Sequence, residues 1–262
     1  MGKVSASALR GLPHGRKARG GGPLAGGPRA ALAIFALVAL GAGMGLLIPA
    51  AKDLSGDVAV ELRYAALADD AGSGAESAAR SLPEGAAAWL RVAGTSIDYP
   101  VAQATEAAPE YFLSHDLWGE DASAGCPYLD YRCRASGVRS LVYAHRLGTT
   151  NKQFSPIAGT WQQAEFDRIG TLSWTTPAGN ERLQPLCALK VDKTYQPVQS
   201  FGEPSAEELR TWLVGLLADS SAQAANAGEL AKTAQKAITL ATCSSEQSGQ
   251  RDRTLLVFVA AS

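Results

Sequence analysis

The sequence Ile238–Ala260, ITLATCSSEQSGQRDRTLLVFVA, contains two apolar runs separated by a polar loop. Short apolar runs bounded by polar or turn-forming residues are typical of β-strands. We therefore predict one strand at Ile238–Cys243 and a second at Thr254–Ala260. Cys243 ends the first strand and Arg253 directly precedes the second, so a thiol and a guanidinium group both lie at strand ends.

Similar short runs fill the chain from Trp89 onward, and strong helical patterns are rare there. The further predicted strands are Trp89–Val92, Ile97–Val101, Cys126–Tyr131, Arg139–His145, Arg168–Trp174 and Leu183–Lys190. Helices are predicted at Ala107–Leu113 and at Ser205–Leu217, where Ser205 is a favourable N-cap. About eight short strands with few, peripheral helices favour a closed or nearly closed mixed β-barrel. A doubly wound sheet would need a helix between successive strands.

The N-terminal region has the composition of a basic tail followed by a membrane anchor. Residues 1–29 carry six basic side chains and no acidic one, and this Gly-rich tail is predicted to be disordered. Residues 30–51 are uncharged, and at about 1.5 Å per residue they form about 33 Å of helix, enough to cross a bilayer core of about 30 Å. The positive-inside rule then predicts a single span with a cytoplasmic N-terminus and an extracellular remainder. A cleaved secretory signal is the alternative, although its apolar region is usually shorter.

The net charge differs between the tail and the rest of the chain. The tail carries +6 and the whole chain −1, so the residues after it sum to −7. Nucleic-acid-binding domains usually present a basic surface. The acidic, exported part of this chain is therefore not expected to bind nucleic acid, and its predicted membrane contact is made through residues 30–51.

Residues 52–88 connect the predicted anchor to the β-rich region. They are rich in alanine with scattered acidic residues, and they are predicted to be helical, with an interruption near Gly72-Ser73-Gly74 and a short helical stretch beginning at Pro83. This segment is either a stalk or a set of helices packed on the domain. The predicted organisation is a tail at 1–29, an anchor at 30–51, the helical segment at 52–88 and the β-rich domain at 89–262.

Four cysteines in an exported chain raise the question of disulfides. Cys126 and Cys133 would lie about 23 Å apart on one continuous strand. A bridge between them requires a turn, whereas the intervening residues resemble a strand, so the bridge is disfavoured. Cys187 lies in an apolar run and is predicted to be a small buried hydrophobic residue.

Histidine is scarce, which limits the acid–base chemistry that the exported domain can perform. His14 lies in the tail, and His145 ends the predicted strand Arg139–His145 beside a polar loop. Cys243 and Arg253 have the same kind of placement, and loops at strand ends commonly carry function. Each of the three also has a structural explanation, so their shared placement is only a weak indication of catalysis. No cluster of acidic residues and histidines has metal-ligand spacing, and we predict neither a metal nor another cofactor.

Two segments together resemble the signature of sortases, which are cysteine transpeptidases. The run Thr239–Cys243, followed ten residues later by Arg253 and an apolar strand, is similar to the TLxTC…R motif of that family. Val142–His145 resembles the strand that carries the catalytic histidine, and the histidine precedes the cysteine as it does in sortases. The segments Gly94–Gln103, Tyr111–Asp116 and Tyr128–Arg132 are similar to class B sortases in particular. The resemblance extends from about Trp89 to Ala260.

The resemblance implies a sortase-type eight-stranded β-barrel with peripheral helices, preceded by the transmembrane helix. It also implies a membrane-anchored enzyme of a Gram-positive cell envelope with Cys243 as nucleophile, His145 as acid/base and Arg253 as transition-state stabiliser. The substrate would be a secreted protein bearing a C-terminal sorting signal, cleaved after Thr through a thioester. The acceptor would be an amine of a cell-wall peptide precursor or a pilin lysine.

The residues around the nucleophile refine these expectations. Thr242, Ala241 and Ser244 flank Cys243 and are the predicted substrate contacts. Class B members commonly carry Ser at the position of Ala241, which leaves the preferred sorting motif open. Arg251 competes with Arg253 for the stabilising role, and we favour Arg253 because it directly precedes a strand. His115 matches a family position outside the catalytic set and is predicted to be structural.

Other functions remain open at this stage. An L,D-transpeptidase would require a Ser-His-Gly-Cys type of nucleophile motif, which Thr239–Cys243 does not match. A pilus-polymerising sortase is a second possibility, and the lack of a second apolar span after the final strand argues mildly against the pilin-specific class. A non-catalytic, membrane-anchored binding module with an inert Cys243 is the third.

Overall fold

The computed structural model describes residues 58–68, 82–148, 150–245 and 251–261. The predicted tail at 1–29 and the predicted span at 30–51 lie outside these ranges. Within them, no helix combines the length and the apolar character that crossing a membrane would require. The described residues therefore concern the β-rich domain and one helix that precedes it.

The domain is built from β-strands with few helices. The strands are β1 Ala86–Val92, β2 Asp98–Gln103, β3 Tyr128–Leu129, β4 Arg139–Tyr143, β5 Leu172–Thr176, β6 Gly179–Asp192, β7 Ala222–Gln223, β8 Ala234–Cys243 and β9 Asp252–Ala261. Hydrogen bonds join them in the order β5-β1-β2-β3-β4-β8-β9-β6, and β6 also pairs with β5. Eight strands thus close into a barrel, and the short β7 lies beside β6. The predicted eight-stranded barrel is confirmed.

Two of the contacts between neighbouring strands are parallel, and the rest are antiparallel. β2 pairs in parallel with β3, and β4 pairs in parallel with β8. Parallel neighbours need a long crossover connection. Between β2 and β3 it contains one 3-10 turn, and between β4 and β8 it contains helices and further strands. The β4–β8 pairing joins two strands that are distant in sequence. It therefore brings residues from distant parts of the chain side by side.

The central strands are apolar on both faces, which explains their continuous apolar runs. In β8, Ala237, Ile238 and Leu240 are fully buried, and β9 buries Leu256–Val259 in the same way. One face of these strands lines the barrel interior, and helices cover part of the outside. Burial on both faces holds the two strands firmly at the centre of the domain.

The helices are peripheral, as predicted. They are α1 at residues 58–68, α2 Gln163–Phe166, α3 Gln196–Gln199, α4 Ala206–Asp219 and α5 Ala227–Thr233. Ser205 caps α4: its hydroxyl accepts from Glu208 N, and the Glu208 carboxylate accepts from Ser205 N. The predicted cap is confirmed, and α4 extends two residues beyond the predicted end.

Two predicted helices are wrong. In the predicted segment Ala107–Leu113, only Tyr111–Leu113 is helical, as a single 3-10 turn, and Pro109 removes a backbone donor that a helix would need. The stretch after Pro83 is a turn, in which Gly85 has φ 88°, followed by β1. Pairing with β2 and β5 outweighs the intrinsic helix preference of its alanines.

Helix α1 packs against the barrel. Tyr64 is almost fully buried, its ring stacks on Trp118 with a centroid distance of 5.7 Å, and its hydroxyl accepts from Leu117 N at 3.0 Å. The guanidinium carbon of Arg63 lies 3.5 Å from the centroid of the Trp118 ring, and Arg63 Nη1 reaches Asp116 Oδ2 at 3.4 Å. The sequence left open whether the helical segment is a stalk or packs on the domain. Residues 58–68 pack on the domain.

Candidate active site

A cleft of about 700 Å³ opens at one end of the barrel. Strands β3, β4, β6, β8 and β9 contribute to its walls, together with residues 109–113 and 193–199. Cys243, His145 and Arg253 all line it. The fold thus brings together the three residues that the sequence placed at strand ends.

Cys243 and Arg253 are positioned by the antiparallel pairing of β8 with β9. They are Cα partners directly opposite each other in this ladder. Opposite residues in an antiparallel pair project their side chains to the same face, with Cβ atoms about 5 Å apart. The thiol and the guanidinium group therefore share one side of the sheet, at the end of β8.

The parallel pairing of β4 with β8 brings His145 to the same end of the sheet as Cys243. Tyr143 is the Cα partner of Ala241, and Ala144 N donates to Ala241 O at 3.3 Å. Cys243 lies two residues beyond Ala241 at the end of β8, and His145 lies two residues beyond Tyr143, just past the end of β4. Cys243 points to the same face as Ala241 because side chains alternate along a strand, and Cys243 and His145 both line the cleft.

The imidazole of His145 is oriented by a hydrogen bond to the backbone. Its Nε2 lies 2.8 Å from the carbonyl oxygen of Leu113. A carbonyl only accepts, so this contact assigns the proton to Nε2. Nδ1 is then the ring nitrogen that can accept a proton from a thiol.

Arg251 and Arg253 have different surroundings. Arg251 donates from Nε and Nη2 to the two carboxylate oxygens of Asp192, at 2.7 and 2.8 Å. This bidentate pair holds the pKa of Asp192 well below its usual range. Arg253 lines the cleft opposite Cys243 and donates from Nη1 to Asp252 O at 3.1 Å. Of the two arginines, Arg253 is the one that lines the cleft.

The predicted substrate contacts fall into two groups. Ala241 and Thr242 line the cleft, and the Thr242 hydroxyl is buried with no hydrogen-bond partner among the described residues. Ser244 is not part of the lining, and its hydroxyl is likewise buried without a partner in the described ranges. Its carbonyl accepts from Arg146. Among the predicted substrate contacts, Ser244 is therefore the one outside the cleft lining.

One wall of the cleft was not predicted from the sequence. Asp130 is 5% exposed and forms a bidentate pair with Arg132, at 2.8 and 2.7 Å. Arg132 donates to Gln199 Oε1 at 3.0 Å, and Gln199 Nε2 donates to the Tyr143 hydroxyl at 3.4 Å. This chain of contacts links the end of β3 to α3 and to β4. In the sequence, Tyr128–Arg132 carries only a resemblance to class B sortases, and the pattern of Gln196–Gln199 gives no indication of a site.

The tyrosines of this wall remain hydrogen-bond donors at neutral pH. Tyr128 and Tyr143 line the cleft with ring centroids 5.5 Å apart. Burial is the main cause that raises the pKa of both phenols above the usual value. They can therefore orient a peptide backbone by donating to carbonyl oxygens.

The other cysteines are not candidates for the nucleophile. Cys126, Cys133 and Cys187 are buried free thiols, so the disfavoured bridge between the first two is absent. Burial raises the pKa of Cys126 to about 12, that of Cys133 to about 11 and that of Cys187 to about 12. Cys243 is the one partly exposed thiol and the one that lines the cleft.

His115 lies outside the cleft lining. Its ring stacks on Tyr111 with a centroid distance of 3.8 Å, and Nδ1 contacts the carbonyl oxygen of Tyr111 at 2.8 Å. Its Nε2 lies 3.4 Å from a carboxylate oxygen of Asp121. These contacts are local and fit the predicted structural role.

The solved structures that match this barrel include class B sortases. The chain is similar to the Staphylococcus aureus sortase B–substrate complex, at 20% identity over 68% of this chain and 80% of that chain, with a TM-score of 0.57. Clostridium perfringens sortase B matches at 17% identity over 67% and 93%, with a TM-score of 0.57. A sortase B complexed with triglycine matches at 20% identity over 67% of this chain and 79% of that chain, with a TM-score of 0.56. No protein-family model matches the sequence, and no curated protein sequence matches it. These structural matches show that the chain has the class B sortase fold.

Proposed function

We propose that this chain is a sortase, a membrane-anchored cysteine transpeptidase that cleaves a sorting signal and transfers the cleaved protein to an amine. The observation that carries the proposal is the shared cleft of Cys243, His145 and Arg253 on a class B sortase barrel. Cys243 and Arg253 are cross-strand partners, and His145 follows the strand that pairs in parallel with β8. The fold supplies these strand pairings, but it does not determine which residue types occupy the paired positions. The proposal therefore depends on both the pairings and the residue types.

The first chemical step forms a thioester. The thiol of Cys243 gives its proton to His145 Nδ1, and the resulting thiolate attacks the carbonyl carbon of the Thr in the sorting signal. The oxyanion that forms is stabilised by the permanently charged Arg253 through charge-assisted hydrogen bonds. When the C–N bond breaks, the imidazolium of His145 protonates the departing amine.

The second step reverses the roles of the same groups. The incoming amine attacks the thioester carbonyl, and neutral His145 takes one of its protons. Collapse of the second oxyanion expels the Cys243 thiolate, which is protonated again, and a new amide remains. No oxidant, metal or cofactor enters this balance.

The partners are proposed by analogy with the solved structures. The matching structures include S. aureus sortase B in complex with a substrate and a sortase B in complex with triglycine. For this chain we propose a peptide substrate and an amine acceptor at the corresponding cleft. Its volume of about 700 Å³ and the phenols of Tyr128 and Tyr143 suit an extended peptide. Residues 30–51 would hold the enzyme at the outer face of the cell membrane.

The test uses the full chain purified in detergent with quenched peptides of NPxTx and LPxTG type, with and without hydroxylamine. We expect cleavage that hydroxylamine accelerates, and an acyl adduct that intact-mass spectra and peptide mapping assign to Cys243. Triglycine and a lysine-bearing peptide, added separately, distinguish a cell-wall type of acceptor from a pilin type. If the folded protein cleaves no peptide and Cys243 also resists alkylation, the chain is a binding module instead.

A further inference from the structure

Gln153 has an unusual backbone conformation close to the site. Its φ is 52°, the one positive value among the non-glycine residues that the structure describes, and the residue is fully buried. A left-handed conformation is unfavourable for a residue with a Cβ atom. Such strain persists only where the surroundings impose it, and it concentrates at functional positions.

The strained residue lies next to the backbone of His145. Arg146 and Gln153 form an isolated antiparallel bridge, and Phe154 N donates to His145 O at 3.0 Å. The chain therefore leaves the barrel after His145 and returns immediately beside it. The backbone conformation of Gln153 determines the position of the returning segment. The hydrogen bond from Phe154 N links that position to the carbonyl of His145.

A phenol holds the backbone N–H of Gln153 from the other side, while the Gln153 side chain donates from Nε2 to Gly125 O at 3.3 Å. Gln153 N donates to the Tyr99 hydroxyl at 3.2 Å, and this hydroxyl donates to Glu61 Oε2 at 3.1 Å. Lys152 Nζ donates to the same carboxylate oxygen at 2.9 Å. Burial raises the pKa of Tyr99, so the phenol stays protonated and can serve as the donor to Glu61. Because Glu61 belongs to α1, this helix is connected to the histidine segment.

The network is not arranged for stability alone. Glu61 Oε1 and Gln153 Oε1 are both buried with no hydrogen-bond partner within the described ranges. An unpaired buried acceptor is unfavourable, and so is the backbone strain at the same residue. Two unfavourable features at one place indicate that the geometry is retained for another reason.

We propose that Tyr99 is a positioning residue for His145: its hydroxyl, held by Glu61 of α1, fixes the strained Gln153 and so places the imidazole opposite Cys243. Tyr99 acts through Gln153 and does not touch the substrate. The inference rests on the proposed function, since His145 has its role only there. It assigns to α1 a part in the geometry of the site as well as in the packing of the domain.

The experiment compares Tyr99→Phe with Tyr64→Phe in the full chain in detergent. Both variants remove one buried phenol oxygen at the contact between α1 and the barrel, but the Tyr64 hydroxyl accepts from Leu117 N, away from the cleft. Three readouts are used: kcat and KM for peptide cleavage, the pH profile of Cys243 alkylation, and the pH titration of the His145 ring by NMR. Alkylation and the ring titration need no sorting peptide.

We expect Tyr99→Phe to lower kcat about 10- to 100-fold with little change in KM, as for a misplaced catalytic group. It should also shift the alkylation profile and the His145 titration, whereas Tyr64→Phe should leave all three unchanged. Equal effects of the two variants, or none from Tyr99→Phe, would overturn the proposal. If the wild type cleaves no peptide, the proposed function fails, but the alkylation profile and the ring titration still decide whether Tyr99 positions His145. Should Tyr99→Phe not fold, Glu61→Gln is expected to change the same readouts in the same direction, and an unchanged profile there would also contradict the proposal.

Discussion

The two sides of the cleft are held in place by different means. Cys243 and Arg253 lie on β8 and β9, which pair along nearly their whole length and are buried on both faces. His145 lies two residues beyond the end of β4, and contacts from Leu113 and Phe154 hold its ring and its carbonyl. A backbone ladder depends little on any one side chain. The thiol side should therefore tolerate substitutions around it, and the histidine side should not.

The largest effect is expected at the nucleophile itself. Cys243→Ala should reduce turnover by more than about 10⁴-fold, because no other group can form the thioester. The fold should be unchanged, since the side chain ends a strand and is only partly buried. Peptide cleavage and circular dichroism check the two expectations. Cys187→Ala is the matched control, and activity lost equally there would show that the buried thiols matter in the same way.

His145→Ala should lower kcat about 10²- to 10⁴-fold, the range for loss of a general acid–base group. The matched control is His115→Ala, whose ring stacks on Tyr111 outside the cleft lining. It should keep its kcat and lose only a little stability. Steady-state kinetics with the cleaved peptide measures both, and full activity of the His145 variant would refute the catalytic assignment.

Substituting Arg253 and Arg251 in turn distinguishes the effect of the position opposite Cys243 from the effect of the positive charge. Arg253→Ala should cost about 10²- to 10³-fold in kcat, as expected for a group that stabilises an oxyanion. Arg251→Ala removes an equal charge two residues away, but it breaks only the exposed pair with Asp192. Its kcat should stay close to that of the wild type. Comparable losses in both variants would mean that the general positive potential, rather than the position opposite Cys243, is what matters.

A substitution in the wall formed by Asp130, Arg132 and Gln199 should change substrate binding and leave the chemical step unchanged. Gln199→Ala removes the acceptor for Arg132 and the donor to Tyr143, so KM should rise about fivefold, equivalent to about 1 kcal/mol of hydrogen bonding. Its kcat should not change. The control is Gln163→Ala on α2, outside the cleft lining, which removes hydrogen bonds to Asp167 and to Gln223 of β7 and should leave KM unaltered. A fall in kcat for the Gln199 variant would place this wall in the chemical step.

The smallest effect concerns a helix that packs near the thiol side. Ser205→Ala removes the N-cap of α4, which packs on β8, and should lower the free energy of unfolding by about 1 kcal/mol. Thermal or urea unfolding measures this change. Because the ladder holds Cys243, kcat should remain that of the wild type. A loss of activity would show that the thiol side depends on its covering helix.

Local pattern predicted much of the domain for a clear reason. β8 and β9 have nearly continuous apolar runs, because strands buried on both faces favour apolar residues at successive positions. Ser205 and its glutamates predicted the start of α4 because capping involves only neighbours in sequence. The helices expected at Ala107–Leu113 and after Pro83 were wrong, because pairing with distant strands and local turn geometry outweighed a weak helix preference.

The sequence alone, through the types and spacing of its residues, determined that a thiol, an imidazole and a guanidinium group would stand at strand ends. Tertiary structure was needed to bring them into one cleft, because His145 and Cys243 meet through the parallel pairing of β4 with β8. The wall from Asp130 to Gln199, the packing of α1 and the strained Gln153 also depend on contacts between distant segments. No local pattern encodes such contacts, since the free energy that stabilises them arises only when the whole barrel has closed.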